Sequence, residues 1–241
     1  MKIILELTNS DSARGTIKSA FKDDKDALHI YGEIGEIDFQ INMETIAKED
    51  ILTIKKLEEV DEIRIWYSSI NTNDSIFAAF MLHRLEEYLD IIKLIDVSKY
   101  DGKHSMMRVC VSCFSRDEIV KWQKLERKAL PEDVEFARKL LAYYFSRNQA
   151  EESLIMVNGH VIYELPHEEI KDFICSHFAN YHIPAHTIGA VMSEEWNEKG
   201  WIFGDNVIYK FICDLINEGR IMLHASYHER YDTAPKLFLN R

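Results

Sequence analysis

KIILELTNSDSARGTIKSAF, residues 2–21, decides how this chain is read. The first six residues form a short apolar run of the length of a buried strand, and after them Ala13, Ile17, Ala20 and Phe21 recur at helical spacing. Between the two lies a turn with three hydroxyls and an aspartate, followed by Gly15 and Lys18, which is either a helix cap or the edge of a site. In an open α/β sheet, ligands sit beyond the carboxyl ends of strands, and a helix N-terminus there presents unpaired amides and partial positive charge.

Outward from this unit the beat repeats. ALHIY (27–31) reads as a second strand, the region from Ile51 to Val60 as a helix, and EIRIWYS (62–68) as a third strand. A helix capped by Asn73 or Asp74 follows, with Ile76, Phe77, Phe80 and Leu85 on one face, then the strand DIIKLIDV (90–97) and an edge strand at RVCVSCF (108–114). Strands alternating with helices imply an α/β fold with a mostly parallel sheet and flanking helices.

A helical segment comes next. Ser115 and Glu118 match a capping box, Pro131 opens a second helix, Asn158-Gly159 marks a hairpin, and a helix after Pro166 carries Ile170, Phe173, Ile174 and Phe178 inward. From Pro184 the order is helix, helix stopped by Gly219, strand, strand, the outline of a small winged-helix-like C-terminal module. The expected division is an α/β domain over 1–114 and a helical domain over 115–241 that ends in the module at 184–241.

With 46% hydrophobic residues in 241, the chain can build a packed core. The formal net charge of −12 disfavours attraction to nucleic acid or an anionic bilayer, which requires basic side chains on phosphates. No apolar run is long enough for a membrane span and the N-terminus turns polar early, so a cytoplasmic protein is expected. Four cysteines in a chain this long imply reduced thiols.

Three groups of residues resemble, in order, a family of bacterial two-domain proteins of unknown function. SDSARGTIK (10–18) is similar to that family's Gly-Asp-Ser-x-x-Gly-x-x-Lys turn, with Ser10 where the family prefers glycine. IRIWYSSINTND (63–74) is similar to its strand ending in tryptophan, and TIGAVM with GDNVIYKFICDLINEGRI (204–221) to its C-terminal pattern; GEIGEID (32–38) lacks the family's Ser-x-Gly-Pro. The resemblance implies a fold and a bacterial cytoplasmic setting, and no reaction.

The candidate ligand site joins two loops. Ser10, Asp11, Ser12, Gly15 and Lys18 would cradle a phosphate or carboxylate, and Asn71, Asn73 and Asp74 would face them across a crevice. The bland alternative is capping of two helices. Cys110-Val-Ser-Cys113 has zinc-ligand spacing, with Cys175 and His177 as further ligands, but in a strand residues three apart point to opposite faces, so no metal is expected. His182 with His186, and His224 with His228, read as surface or satisfied histidines, and Lys121, Lys124 and Lys128 as a solvated helix face.

The function so indicated is a ligand-sensing or adaptor protein: a small anionic ligand in the α/β domain, a protein partner at the C-terminal module, no nucleic acid and no membrane. The sequence names no cofactor and leaves the oligomeric state open. Rival expectations are a hydrolase or phosphoryl-transfer enzyme using Asp11, Ser12 and Asp74, and a DNA-binding regulator. The second helix of the module opposes the latter, with Lys210 outnumbered by Asp205, Asp214 and Glu218.

Overall fold

The computed structural model describes residues 1–31, 57–99, 110–147, 153–178, 184–194, 201, 205–223 and 237–239. The chain divides into two compact units, residues 1–146 with 157–162, and residues 147–156 with 163–241.

In the first unit, β1 (Lys2–Leu7), β2 (Ala27–Tyr31), β3 (Glu62–Tyr67), β4 (Ile92–Asp96) and β5 (Arg127–Lys128) form one sheet in the order β2-β1-β3-β4-β5. The first four strands are parallel and β5 is antiparallel to β4, with Leu5 opposite Ile30 on one side and Ile63 on the other. Strand order therefore reverses at β1. With right-handed crossovers, a chain that steps first one way and then the other lays its helices on opposite faces. α1 (Asp11–Phe21) accordingly buries Ala13, Ile17, Ala20 and Phe21 against Trp66 and Ile95, while α2 (Thr72–Arg84) buries Ile76, Phe77 and Phe80 with Leu5, Leu7, Ile63, Ile65 and Leu94.

The helices after residue 114 also pack on this sheet. α3 (Arg116–Gln123) adds Ile119 and Trp122 to the α1 face, and α4 (Pro131–Arg147) adds Ala137, Leu140 and Leu141 to the α2 face. The compact unit therefore takes in both helices and runs to Ser146, with residues 157–162. Glu118 accepts from both the amide and the hydroxyl of Ser115, as its spacing implies.

Two expected elements differ. The edge strand at 108–114 is absent from the described part, 110–114: Val111–Cys113 is a 3₁₀ turn whose flanking Val111 and Phe114 enter one core cluster, and β5 is the edge partner of β4. Val111 and Phe114 are three apart, the period at which 3₁₀ side chains eclipse. Of the helix expected over 51–60, residues 51–56 lie outside the described residues and Leu57–Glu59 is a single 3₁₀ turn. GEIGEID, His182, His224 and His228 also lie outside them.

In the second unit, α5 (His167–Phe178), α6 (Pro184–Glu194) and α7 (Asp205–Asn217) contact one another around Ile170, Ile174, Phe178, Val191, Trp201, Phe211 and Leu215. Gly219 ends α7 at φ 72°, where Arg220 N donates to Leu215 O at 2.9 Å, a closure that a side chain at this φ would strain. β8 (Ile221–Leu223) pairs antiparallel with β9 (Leu237–Leu239). β6 (Ser153–Asn158) and β7 (Val161–Pro166) form the hairpin marked by Asn158-Gly159, with Gly159 at φ 62°. No helix among the described residues is long and apolar enough to cross a membrane.

Candidate functional site at the carboxyl edge of the sheet

The loops after β1 and β3 meet where strand order reverses. Asn9 Nδ2 donates to Asp74 Oδ1, and Ser68 N donates to Asp74 Oδ2 at 3.0 Å. Asp74 is only 1% exposed. Burial pushes its carboxyl well above the ordinary carboxylate range, and the charge of Asp96 adds to this while the Ser68 and Asn9 donors oppose it. The cap of α2 is Asn71, not Asn73 or Asp74: Asp74 N donates to Asn71 Oδ1 at 3.1 Å, which leaves the Asp74 carboxyl to join the two loops.

The other sequence candidates are placed differently. Ser10 caps α1, its Oγ accepting from Ala13 N at 3.2 Å. Asp11 is exposed and pairs with Arg14 at 2.9 Å. Ser12, Gly15, Lys18 and Asn73 are exposed, and Thr16 Oγ1 donates to the Ser12 carbonyl at 3.1 Å. Asn9 is the residue of this turn that sequence reasoning missed; it stands beside the cap with no motif of its own.

A cavity of about 150 Å³ opens one strand further along, between the ends of β3 and β4, α2, α4 and the hairpin tip. Ala78, Ala79, Leu82, Leu94 and Ala137 give it apolar walls; Tyr67, Ser69, Ser75, Asp96, Arg127, Asp133 and His160 bring polar groups to it. Asp96, the last residue of β4, accepts from Ser69 N at 3.0 Å, Ser98 N at 3.0 Å and Ser98 Oγ at 2.6 Å, and the Ser69 and Ser98 hydroxyls are 2.8 Å apart. Arg127 holds Asp133 through two bonds of 2.6 and 2.7 Å. Burial opposes ionisation of Asp133, but the Arg127 bonds and the Leu130 amide outweigh it and hold the carboxyl below its usual value. Burial, with Asp96 adding, pushes the Tyr67 phenol up to about 12, so it remains a neutral hydroxyl.

The hairpin tip closes one side. Gly159 N donates to Ser69 O at 2.8 Å, Val157 N donates to Thr72 Oγ1 at 3.0 Å, and the His160 ring stacks on Phe136 with centroids 4.8 Å apart. Of these residues sequence reasoning singled out only the turn at Asn158-Gly159. Asp96, a charge closing the apolar strand IKLID, was the remaining signal.

The thiols of Cys110 and Cys113 are 3.1 Å apart, so the expectation that they point to opposite faces is corrected: the 3₁₀ turn has replaced the strand on which it rested. Cys175 lies near Arg220 and the His177 ring is 2.8 Å from the Phe173 carbonyl. Among the described residues, no group of three or more His, Cys, Asp or Glu side chains is placed to hold a metal ion.

Fold and cavity define a class: an open α/β sheet of doubly wound order with a pocket at the carboxyl ends of its strands. No family model, no curated protein and no solved structure matches the chain.

Proposed function

We propose that the first unit binds a small polar molecule in the cavity between the ends of β3 and β4, and that the protein is a ligand-responsive adaptor whose C-terminal helices and β8–β9 pair, a winged-helix-like module, contact a partner protein. The observation that carries this reading is the cavity itself, in which separate chain segments bring hydrogen-bonding groups to an apolar floor. An apolar cavity of about 150 Å³ takes up benzene, which sets the scale of the ligand.

The chemistry of the rim favours a ligand with hydroxyl or amino donors. Asp96 presents a carboxylate, and the charges of Arg127 and Asp133 are committed to each other. A small anion at the first turn has less support, since Ser10 is engaged as a cap and Asp11 adds negative charge beside it. The hydrolase reading needs Asp11 and Ser12 to act with Asp74; Asp74 is buried against Asn9 and Ser68, whereas Asp11 and Ser12 are exposed.

The test is a thermal-shift screen of small polyols, sugars and amines on the full chain and on Ala79→Leu, whose added methylenes fill the cavity. A compound at about 100 times its Kd adds about 2.7 kcal/mol to a protein that binds it. Compounds that stabilise the wild type and not the filled variant bear the proposal out. Equal stabilisation of both proteins, or no stabilising compound in the screen, rejects it.

A further inference from the structure

Cys110 precedes and Cys113 ends a 3₁₀ turn that is packed into the core. Cys113 N donates to Cys110 O at 3.0 Å, and Val111 and Phe114 anchor the turn in the α1–α3 core, Phe114 lying edge-on to Trp122 at 5.5 Å. The turn brings the two side chains together, and the sulfurs stand 3.1 Å apart. A disulfide has its sulfurs about 2.05 Å apart, so bond formation asks for a movement of about 1 Å.

The two thiols are not equivalent. Cys113 is exposed, while Cys110 is half-buried, with its sulfur 3.1 Å from the Ser112 hydroxyl. The bond to Cys113 and burial both hold the Cys110 thiol protonated. The exposed Cys113 sulfur is the one a disulfide in solution can reach, and the thiolate is the reactive form of a cysteine. The turn packs against α1, the helix that follows β1. A Cys-x-x-Cys pair beside a βαβ unit is the sequence context of dithiol redox chemistry.

We propose that Cys110 and Cys113 are a reversible dithiol–disulfide couple that exchanges electrons with low-molecular-weight disulfides. In the first step the Cys113 thiolate attacks one sulfur of the disulfide RS–SR; a Cys113–SR bond forms, the RS–SR bond breaks and one RS⁻ leaves. The Cys110 proton passes to that thiolate, giving RSH. Cys110 then attacks Cys113 Sγ, the Cys110–Cys113 bond forms, and the second RS⁻ departs and takes a proton from solvent. Two electrons have moved from the dithiol to RS–SR, and the reverse sequence with a thiol restores the reduced protein.

The experiment equilibrates the full-length reduced protein with oxidised glutathione, then alkylates it and maps the thiols by mass spectrometry. Expected are a Cys110–Cys113 disulfide in the wild type, a mixed disulfide with glutathione trapped on Cys113 in Cys110→Ser, and no adduct at this pair in Cys113→Ser. Circular dichroism of both variants checks that the fold is kept, and dithiothreitol reverses the wild-type disulfide. Full alkylation of both cysteines after the glutathione step overturns the proposal. So does equal modification of Cys175 or Cys213, or protection that a chelator rather than a reductant removes.

Discussion

The two faces of the central sheet are built from alternate residues of the same strands and are held by different forces. Toward α2 and α4, Leu5, Leu7, Ile63, Ile65, Ile92 and Leu94 fill space with apolar volume. Toward α1 and α3, the same strands present Glu6, Glu62, Arg64 and Trp66, all at or below 6% exposed. There Glu6 accepts from Trp66 Nε1 at 2.5 Å and Arg64 at 3.3 Å and lies 2.8 Å from His29 Nδ1, while Arg64 Nε reaches Glu62 at 2.6 Å. Phe21 stacks on His29 with ring centroids 4.6 Å apart, and Lys2 reaches Glu62 from the edge at 2.7 Å.

The difference teaches that burial in a parallel sheet can be met in two ways with opposite tolerance. An apolar face loses stability in proportion to the volume removed. A buried ionic face contributes little net stability as a whole, because desolvation offsets the Coulomb gain, yet the loss of one member leaves the rest buried and uncompensated.

The largest effect expected is therefore on the polar face. Glu6→Ala should cost about 3–5 kcal/mol in urea unfolding, because Arg64, Trp66 and His29 lose their shared acceptor. Replacing Glu6, Glu62 and Arg64 together with Leu, Leu and Met should give a protein more stable than Glu6→Ala alone; a triple variant less stable than the single one would break the comparison.

On the apolar face, Ile65→Ala should cost about 2–4 kcal/mol, with the loss set by how far α2 and α4 close the gap. A loss below about 1 kcal/mol would mean that this face is loosely packed.

Next in size is a pH effect centred on His29 of the polar face. Burial lowers the proton affinity of His29, but its bonds to Glu6 and Asp24 outweigh this and raise its pKa above 6.5. Its folded pKa is the higher, so its stabilisation is fully present below 6.5 and is lost as pH rises through the folded value. The raised Asp74 carboxyl acts in the same sense, stabilising relatively more as pH falls. Unfolding free energy should decline from pH 6.5 upward, and His29→Phe should flatten the decline. An unchanged slope in that variant would remove His29 from the account.

The smallest effects belong to the first turn. Ser10→Ala should cost about 1 kcal/mol through loss of the bond to Ala13 N. Lys18→Ala should change stability by less than about 0.5 kcal/mol, since Lys18 lies on the exposed side of α1. A clear melting shift for Lys18→Ala without ligand would show that α1 uses its outer face.

Local signals were legible wherever the information sits within a few residues. The apolar run 2–7, the buried stripe Ala13, Ile17, Ala20 and Phe21, the Ser115–Glu118 box, the Asn158-Gly159 turn and the stop at Gly219 all stand in the structure as their spacing implies. The candidate site was legible only in outline: two polar loops leaving β1 and β3 do meet, but through Asn9 and Asp74. The cap at Asn71 lies two or three residues before the expected one because Asn, Asn and Asp in NTND are nearly equal as caps. The choice falls to the long-range demand on the Asp74 carboxyl.

By itself, then, the sequence determined the α/β alternation, the ends of most elements and the acidic balance, because periodicity and capping are properties of neighbours along the chain. Only the tertiary structure decided that Glu6 meets Arg64 and Trp66 across 58 and 60 residues, and that Tyr67, Asp96, Arg127 and Gly159 surround one cavity. The same holds for the cysteine pair, whose turn is set by where Val111 and Phe114 find a core. Strand register and packing set those meetings, and a charge in an apolar strand reads alike in sequence whether it faces water or a buried partner.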